Sequence, residues 1–439
     1  MAEGFIVAAP SSGSGKTSVV LGLLRLLARR GLKVASAKIG PDYIDPAFHA
    51  AASGRPCHNL DGWAMRPATV AALAARLSAD AELVVCEGVM GLFDGALVPP
   101  GEADGSTAEL AALTGWPVIL VVDARGMTGS AAAVLSGFAH LRPDIAVKGV
   151  IFNRVSGERH RAAIAAACRR ACPEVRLLGF LPTDAGLEMP SRHLGLVQAC
   201  ERPDLAAFLD GAAALMERCL DVDALLALAQ PSRLKPATAT PPVPPLGSRI
   251  AVAADPAFAF AYPALLDGWR AAGAEIHPFS PLADQAPDPA ADAVYLPGGY
   301  PELHAGRLAA NARFLHGLRA AAQRGAAVLG ECGGYMVMGR TLVDAAGTNH
   351  AMAGLLGLET SFAQRKLHLG YRRAALCHAG VLGSAGDGFR GHEFHYATVL
   401  TERGEPLFRI HDAGGADLGT CGLTDGRMAG SFIHLVDRT

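Results

Sequence analysis

Several features are scarce in this chain of 439 residues, and each scarcity excludes a class of protein. The formal net charge is −2, so there is no surplus of basic residues for binding nucleic acid or anionic lipid. No stretch approaches the roughly 20 consecutive apolar residues that a transmembrane helix needs. The strongest apolar runs, such as 118–122, have only the length of a strand. The composition therefore predicts small-molecule partners, with no nucleic acid and no membrane.

Paired cysteines and a secretion signal are also missing. The nine cysteines are scattered, odd in number and never spaced as C-x-x-C, which fits neither a disulfide framework nor a zinc site. The first residues carry Glu3 and no basic region before a short apolar run, so they do not read as a signal peptide. We expect a cytoplasmic protein in a reducing environment.

The length predicts two or three domains at roughly 150 residues per domain. The clearest boundary is the segment 231–248, PSRLKPATATPPVPPLGS, whose prolines remove backbone donors and impose extended conformations. We predict a semi-rigid linker there. It separates an N-terminal domain, 1–230, from a C-terminal domain, 249–439.

Short continuous apolar runs alternate with helical patterns on both sides of the linker. Such runs indicate strands that are covered on both faces, and therefore parallel sheets. The expected strands are 5–9, 33–39, 83–87, 118–123, 147–153, 177–181, 250–254, 293–296 and 327–330. The Gly- and His-rich remainder favours antiparallel strands. The predicted fold class is α/β with two domains.

A glycine-rich loop, PSSGSGKTS at 10–18, lies between the first predicted strand and a helix, which is the context a P-loop requires. Its glycines let backbone N–H groups close around phosphate oxygens, its lysine reaches the terminal phosphates, and its threonine hydroxyl suits Mg²⁺. Pro10 stands where the usual motif has its first glycine. The loop predicts ATP or GTP binding and leaves the reaction open. The candidate nucleotide-binding residues are Gly13, Gly15, Lys16, Thr17 and Ser18.

Carboxylates follow two further predicted strands. Asp42 and Asp45 lie in a Pro-flanked loop, and Glu87 ends a buried strand. Because the carboxyl ends of parallel strands face the ligand crevice, these side chains and Thr17 are placed to hold Mg²⁺ between a nucleotide and a second substrate. Alternatively, the aspartates are turn-formers and Glu87 is a strand-end cap. The candidates for orienting this second substrate, the acceptor of the reaction, are Tyr43 and Asp94.

Four segments carry a resemblance to a known family. They are the P-loop with Pro10, GPDYIDPAFH at 40–49, CEGVMGLFDG at 86–95 and IFNRV at 151–155. Together they resemble the dethiobiotin-synthetase-like amidoligases, and specifically the cobyrinic or hydrogenobyrinic acid a,c-diamide synthases, over essentially the whole chain. The resemblance implies ATP as the nucleotide and a contact of Asn153 with adenine.

A cysteine motif marks the C-terminal domain. A predicted buried strand runs into G-x-C-x-G, whose small residues allow a strained turn that projects Cys332 above the sheet. A thiol needs a helix N-terminus or an imidazole to become a nucleophile, and His434 offers an imidazole. A glycine turn after the strand 293–296 is suited to donating backbone N–H groups to an oxyanion. The candidates for oxyanion and glutamine binding are Gly298, Gly299 and Gly333.

This layout resembles the class I glutamine amidotransferases, which implies Cys332 as nucleophile and His434 as base. That class usually carries Glu two residues after the histidine, where this chain has Val436. What orients His434 is therefore left open. His392 and His395, in the motif HEFH, are further candidates for packing or for the active site.

The two resemblances together imply one reaction. The first domain would activate a carboxylate as an acyl phosphate, and the second would release ammonia from glutamine. The implied enzyme is a glutamine-hydrolysing ligase that amidates the a and c acetates of a corrin ring in cobalamin biosynthesis. Its partners would be the corrinoid acid, L-glutamine, ATP and Mg²⁺, with a homodimer as one option. Sequence does not separate cobalt-free from cobalt-containing corrin.

Other functions remain open at this point. A partitioning-type ATPase switch shares the P-loop fold, but it needs Lys where this chain has Ser11, and it leaves Cys332 unexplained. A binding protein with a degenerate amidotransferase domain is compatible with Val436. The nearest alternatives are amidases of another tetrapyrrole, such as cobyric acid synthase or an enzyme of the nickel-sirohydrochlorin type.

Overall fold

The computed structural model describes residues 2–79, 81–187, 191–192, 195–238 and 240–439. These residues form two compact units. The N-terminal unit comprises described residues of 2–63, 67–96 and 103–238, and the C-terminal unit comprises 64–66, 97–102 and 240–439.

The N-terminal unit alternates strands with helices, as its apolar runs and amphipathic segments predict. Its strands are β1 Glu3–Ala8, β2 Val34–Ile39, β3 Cys57–Leu60, β4 Leu83–Glu87, β5 Val118–Asp123, β6 Val147–Val155, β7 Arg176–Pro182, β8 Ser191–Arg192, β9 Gly195–Leu196 and β10 Gln230–Pro231. Its helices are α1 Lys16–Arg29, α2 Asp45–Ser53, α3 Pro67–Ala79, α4 Thr107–Thr114, α5 Ser130–His140, α6 Glu158–Ala171, α7 Leu205–Cys219 and α8 Val222–Leu226. β2 and β4 are buried along their whole lengths because helices cover both faces of the sheet.

The main strands of this unit form a parallel sheet in the order β3-β2-β4-β1-β5-β6-β7, and β10 pairs with β1 in the antiparallel direction. The register aligns Glu87 at the end of β4 with Lys38 on β2 and with Val7 on β1. The carboxyl ends of these strands therefore meet at one edge of the sheet, where ligands of open α/β folds bind.

The C-terminal unit combines parallel and antiparallel pairing. Its strands are β11 Arg249–Ala253, β12 Glu275–Phe279, β13 Ala293–Leu296, β14 Ala327–Glu331, β15 Thr341–Val343, β16 Asn349–Ala351, β17 Gly357–Ser361, β18 His368–Leu376, β19 Gly388–His395, β20 Thr398–Arg403, β21 Glu405–His411, β22 Asp417–Asp425, β23 Met428–Ser431 and β24 Ile433–Arg438. Its helices are α9 Pro263–Ala271, α10 Ala305–Ala310, α11 Ala312–Gln323 and α12 Gly333–Met338.

The large sheet of this unit runs β12-β11-β13-β14-β23-β22-β21-β18-β19-β24. The strands from β12 to β23 pair in parallel, and the strands from β22 to β24 pair in the antiparallel direction. A smaller sheet runs β16-β15-β17-β20. The core packs Phe258, Phe314 and Tyr335 among aliphatic side chains. Because β14 and β23 align Glu331 with Ser431, the cysteine motif lies beside the C-terminal segment of the chain.

The predicted α/β class is confirmed, and so is the antiparallel character of the C-terminal remainder. The predicted strands agree with the structure to within two residues at either end. β3 and β12 were not predicted, because β3 is short and contains His58 and Asn59 while β12 contains Pro278. Pro231, the first residue of the predicted linker, belongs to β10.

Among the described residues, no helix combines the length and the apolar character that crossing a bilayer requires. The cysteines all lie in the described ranges, and each is a free thiol.

Candidate functional site

The phosphate loop opens onto a cavity of about 600 Å³ in the N-terminal unit. α1 begins at Lys16, directly after Gly15, whose φ of 90° lies in the left-handed region, as does the φ of 79° at Gly13. A side chain at Gly15 would collide with Asn153, because a Cβ there would lie 2.2 Å from the amide nitrogen. The predicted residues that line the cavity are Gly13, Gly15, Lys16, Thr17, Ser18, Asp42, Asp45 and Asn153.

Glu87 lies under this loop at the end of β4 and is completely buried. Its Oε1 accepts hydrogen bonds from the Thr17 hydroxyl at 2.7 Å and from the Lys16 Nζ at 3.3 Å. Burial alone would raise the pKa of Glu87, but the charges of Lys38 and Lys16 outweigh it and hold the pKa well below its ordinary value. Glu87 is therefore an ionised carboxylate that joins the phosphate loop to its neighbouring strand.

Lys38, from β2, completes this cluster. Its Nζ donates to Asp45 Oδ2 at 2.6 Å, to Glu87 Oε1 at 3.0 Å and to the Gly88 carbonyl at 3.3 Å. Burial alone would lower the pKa of Lys38, but the charges of Asp45 and Glu87 raise it. For Lys16, burial and repulsion by Lys38 lower the pKa. The ammonium of Lys38 is therefore firmly held by two carboxylates, whereas the charge of Lys16 is less well compensated.

Asp42 and Asp45, at the start of α2, have different hydrogen-bond partners. Asp42 Oδ1 accepts from the backbone N–H groups of Ile44 at 2.7 Å and Asp45 at 3.2 Å, so it shapes the turn. Burial and the charge of Asp45 raise the pKa of Asp42 to about 7. Asp45 instead directs its carboxylate to Lys38. Both the turn-forming role and the proximity to the phosphate loop that the sequence suggested are thus present.

The remaining N-terminal candidates are placed in different ways. Asn153 donates from its side-chain amide to the Ser14 carbonyl at 3.0 Å, so it braces the phosphate loop. Ser18 donates from its hydroxyl to the Leu187 carbonyl at 2.7 Å. Asp94 accepts from the Gly91 N–H at 2.9 Å within its own loop. Tyr43 is 8% exposed. Neither Tyr43 nor Asp94 is among the residues that line the cavity.

In the C-terminal unit, Cys332 lies at the turn between β14 and α12. Its backbone adopts φ 47° and ψ −105°, a strained conformation typical of a nucleophile elbow. The Cys332 N–H donates to the Ser431 carbonyl at 2.8 Å, and the Cys332 carbonyl accepts from Met336 at 3.0 Å. Burial, and then the charge of Glu302, raise the pKa of the thiol. The resting cysteine is therefore a neutral thiol.

The predicted glycine turn packs directly against this elbow. A Cβ at Gly333 would lie 3.0 Å from the Gly299 nitrogen, and a Cβ at Gly298 would lie 2.2 Å from His434 Cε1. Side chains at these positions would therefore separate the cysteine turn, the glycine turn and the histidine. The structure brings together the glycines, cysteine and histidine that the sequence selected from distant segments.

His434 lies on β24 and is completely buried. Burial, followed by the charges of nearby histidines, lowers its pKa to about 3. β24 pairs with β19 in a register that aligns His434 with His392. The backbone N–H of Leu435, the next residue, donates to Glu331 Oε1 at 3.1 Å, which anchors the strand that carries the imidazole.

The second histidine of the HEFH motif joins a separate ionic group. His395 Nε2 lies 2.9 Å from Glu393 Oε1, and Arg372 Nε donates to Glu393 Oε2 at 2.7 Å. Burial would raise the pKa of Glu393, but His395 and Arg372 lower it to about 2. The His395 ring also stacks on Phe432 with a centroid separation of 3.9 Å. These contacts give His395 a clear packing role.

Known proteins match the chain over both units. Residues 5–197 match the family described as CobQ/CobB/MinD/ParA nucleotide binding domain, and residues 249–438 match the CobB/CobQ-like glutamine amidotransferase domain. The hydrogenobyrinate a,c-diamide synthase of Brucella anthropi is 52% identical over 438 residues, which covers 99% of this chain and 98% of that protein. The synthase of the same name from Brucella suis biovar 1 is 54% identical over 443 residues, with the same coverage. The chain belongs to the hydrogenobyrinate a,c-diamide synthase family.

Membership of the hydrogenobyrinate a,c-diamide synthase family confirms the resemblance on which the predictions rested. The Rhodobacter capsulatus relative, 52% identical over 434 residues, carries the same name. The sequence nevertheless missed two residues that contact Glu87. They are Lys38 and His49, whose Nε2 lies 2.6 Å from Glu87 Oε2. Lys38 lies just before the segment GPDYIDPAFH and His49 is its last residue. In the sequence, Lys38 reads as a residue of a buried strand and His49 as a residue of a helix. A lysine among the small and apolar residues of a predicted buried strand was the signal that could have revealed Lys38.

Proposed function

We propose that this protein catalyses ATP- and glutamine-dependent conversion of hydrogenobyrinate into its a,c-diamide. The observation that carries the proposal is that one chain contains both an ionic cluster beneath a phosphate loop and a strained cysteine turn and a buried histidine that pack against the same glycine turn. The full-length relatives bear the name of this activity. We assign residues 1–230 to the ligase half and 249–439 to the glutaminase half, with 231–248 as linker.

In the glutaminase half, Cys332 would attack the carboxamide carbon of glutamine. Because the thiol rests in its neutral form, its proton must leave as the bond forms, and the neutral imidazole of His434 is the acceptor we assign. Gly299 and Gly333 would donate backbone N–H groups to the oxyanion. His434 would then protonate the departing ammonia, and water would hydrolyse the thioester to glutamate.

The N-terminal cavity fits a nucleotide and its metal. Gly13 leaves open space where another residue would carry a Cβ, and Lys16 supplies positive charge at the cavity wall. The oxygens of Thr17, Asp45 and Glu87 are the hard ligands that Mg²⁺ prefers. Bound ATP would supply the γ-phosphoryl group that turns an unreactive acetate carboxylate into an acyl phosphate, with ADP as the leaving group, and Mg²⁺ would offset the charge on the phosphate oxygens. Ammonia would then displace phosphate to form the amide.

The side chains of the ligase half would prepare this transfer. Lys16 and Lys38 would offset the negative charge on the reacting oxygens, which is the largest contribution a preorganised site makes. Lys38 cannot drift from its position, because Asp45 and Glu87 hold its ammonium at 2.6 and 3.0 Å. We retain Asp42, Asp45, Thr17 and Glu87 as the candidates for holding Mg²⁺, and Tyr43 and Asp94 as the candidates for orienting the acceptor.

A diamide requires two rounds at this site. One phosphate loop and one cysteine elbow serve both acetates, so each amidation consumes one ATP and one glutamine. The acceptor must be turned between rounds, and release and rebinding of a monoamide is the simplest way. Time courses should therefore show a free monoamide that rises and then falls.

The purified protein should be assayed side by side with hydrogenobyrinic and cobyrinic acids, ATP, Mg²⁺ and either glutamine or ammonium salts. We expect the cobalt-free acid to be the better acceptor, with diamide as the end product identified by mass. Cys332→Ala, given ammonium in place of glutamine, is the control for the ligase half. Absence of any amide product in the wild type, with ATP and Mg²⁺ present, would refute the proposed function.

A further inference from the structure

The two oxygens of the Glu87 carboxylate face different partners. Oε1 accepts from Lys16, Thr17 and Lys38, all of which line the cavity. Oε2 lies 2.6 Å from Nε2 of His49, a residue of α2 that is completely buried. The other ring nitrogen of His49 lies 3.5 Å from the Cys57 sulfur. The His49 imidazole therefore contacts the Glu87 carboxylate on the side away from the cavity.

We propose that His49 is a positioning residue for phosphoryl transfer, because it holds the Glu87 carboxylate in the rotation that presents Oε1 to Thr17 and the two lysines. The inference rests on the proposed function and deepens it. His49 is not among the residues that line the cavity, so it would act through Glu87 and not on the substrates.

The physical need for such a residue follows from the torsional freedom of glutamate. The terminal torsion of a Glu side chain has a broad, roughly two-fold profile, so the chain geometry does not by itself fix the carboxylate plane. A hydrogen bond to Oε2 does fix it. Without this bond, a buried oxygen would lack its donor, which costs about 1–3 kcal/mol, and the carboxylate would be free to rotate. Removing an outer hydrogen bond to a metal-binding carboxylate typically lowers activity or affinity about 10- to 100-fold.

A purely structural role for His49 makes a different prediction. α2 already has local supports: Asp42 accepts from the N–H groups of Ile44 and Asp45, and Gly54 ends the helix with a φ of 72°. If His49 merely filled space beneath α2, its replacement would lower stability and leave the kinetics of the folded enzyme unchanged. The two roles can therefore be separated by kinetics.

His49→Gln and His49→Asn form a matched pair for this purpose. The amide nitrogen of Gln occupies about the place of the imidazole Nε2, whereas that of Asn occupies about the place of Nδ1. Gln can therefore restore the hydrogen bond to Glu87 Oε2, and Asn cannot. Both substitutions replace the ring by a neutral amide. Asn is one methylene smaller than Gln, and thermal unfolding measures the cost of that difference in packing.

We would measure ammonia-dependent amidation of hydrogenobyrinate at varied Mg²⁺ and ATP, together with glutaminase activity and thermal unfolding. For His49→Asn we expect kcat about 10- to 100-fold below wild type and a higher Mg²⁺ concentration for half-maximal rate. His49→Gln should recover most of kcat, and both variants should keep wild-type glutaminase activity. Ser53→Ala, which alters a hydroxyl on the same helix that bonds to the His49 carbonyl, is the control and should keep the wild-type kcat.

Equal kcat and equal Mg²⁺ dependence in folded His49→Asn, His49→Gln and wild type would overturn the inference. Equal losses in the Gln and Asn variants would also overturn it, because the position of the donor would then not matter. These outcomes differ from failure of the proposed function, in which the wild type itself forms no amide. If His49→Asn does not fold, His49→Met takes its place as the variant without a donor to Glu87 Oε2. A loss of kcat in folded His49→Met that His49→Gln does not share supports the inference, and a wild-type kcat and Mg²⁺ dependence in folded His49→Met overturns it.

Discussion

Replacing Lys38 by Met should separate the stability of the N-terminal unit from its chemistry. Lys38 is 3% exposed, and it bridges Asp45 and Glu87 at 2.6 and 3.0 Å. Met keeps the length and apolar stem of the side chain but removes the ammonium. The carboxylates of Asp45 and Glu87 would then face each other without the cation between them. Asp42 lies beside them, and burial and the charge of Asp45 already raise its pKa to about 7.

The expected cost in stability follows from the loss of one partner of a buried ion pair. Such losses typically destabilise by about 3–5 kcal/mol, because the remaining charge stays buried without compensation. Lys33→Met is the control, since Lys33 is exposed just before the same strand and surface substitutions usually change stability by less than about 0.5 kcal/mol. Urea unfolding followed by fluorescence or circular dichroism would measure both variants.

The loss of activity should exceed what destabilisation explains. Removing one preorganised electrostatic group typically lowers kcat about 10²- to 10³-fold, so ammonia-dependent synthesis by folded Lys38→Met should fall by that factor. Glutaminase activity should stay at the wild-type level. Adding Asp45→Asn removes an anion together with the cation, so the double variant should regain stability by about 0.5–3 kcal/mol. Its ammonia-dependent synthesis should stay at least as low as that of Lys38→Met.

Two results would refute this reasoning. If Lys38→Met unfolds at the same urea concentration as wild type, the ion pairs contribute nothing to stability. If the folded variant synthesises diamide at the wild-type rate, Lys38 has no part in phosphoryl transfer, and its burial has another cause.

Three further predictions concern the glutaminase half. Cys332→Ala should abolish glutamine-dependent synthesis and keep ammonia-dependent synthesis; loss of both in a folded variant would contradict the assignment of the halves. Gly298→Ala should lower glutaminase activity strongly, because a Cβ would lie 2.2 Å from His434 Cε1; an unchanged rate would show that the ring position is not critical. Because burial lowers the His434 pKa to about 3, the unfolded chain binds more protons between about pH 6.5 and 3, and stability falls as pH falls through that window. Between pH 7 and 5, the free energy of unfolding measured in urea should therefore fall by about 2 kcal/mol less in His434→Asn than in wild type. Equal decreases would contradict the lowered pKa of His434.

Much of the fold was accessible from the sequence because local signals agreed with one another. Continuous apolar runs predicted the central strands, and a glycine loop between strand and helix predicted the phosphate site. Two of the strands that were missed, β3 and β12, carry polar residues or proline, so their pairing depends on neighbouring strands and not on their own pattern. The G-x-C-x-G motif predicted a strained turn at Cys332, because small residues on both sides allow a tight elbow, and the structure has this turn with a φ of 47°.

The ionic cluster could not be predicted in the same way, because its members meet through strand order. β2 and β4 are neighbours in the sheet although β3 lies between them in the chain, and their register aligns Lys38 with Glu87. A shift of one residue would turn the Lys38 side chain to the opposite face of the sheet, because successive residues of a strand alternate. His49 reaches the same carboxylate from α2, so its role depends on how that helix packs on the sheet. A P-loop motif therefore indicates where phosphate binds, while the residues that set the charge beneath it are determined by sheet topology.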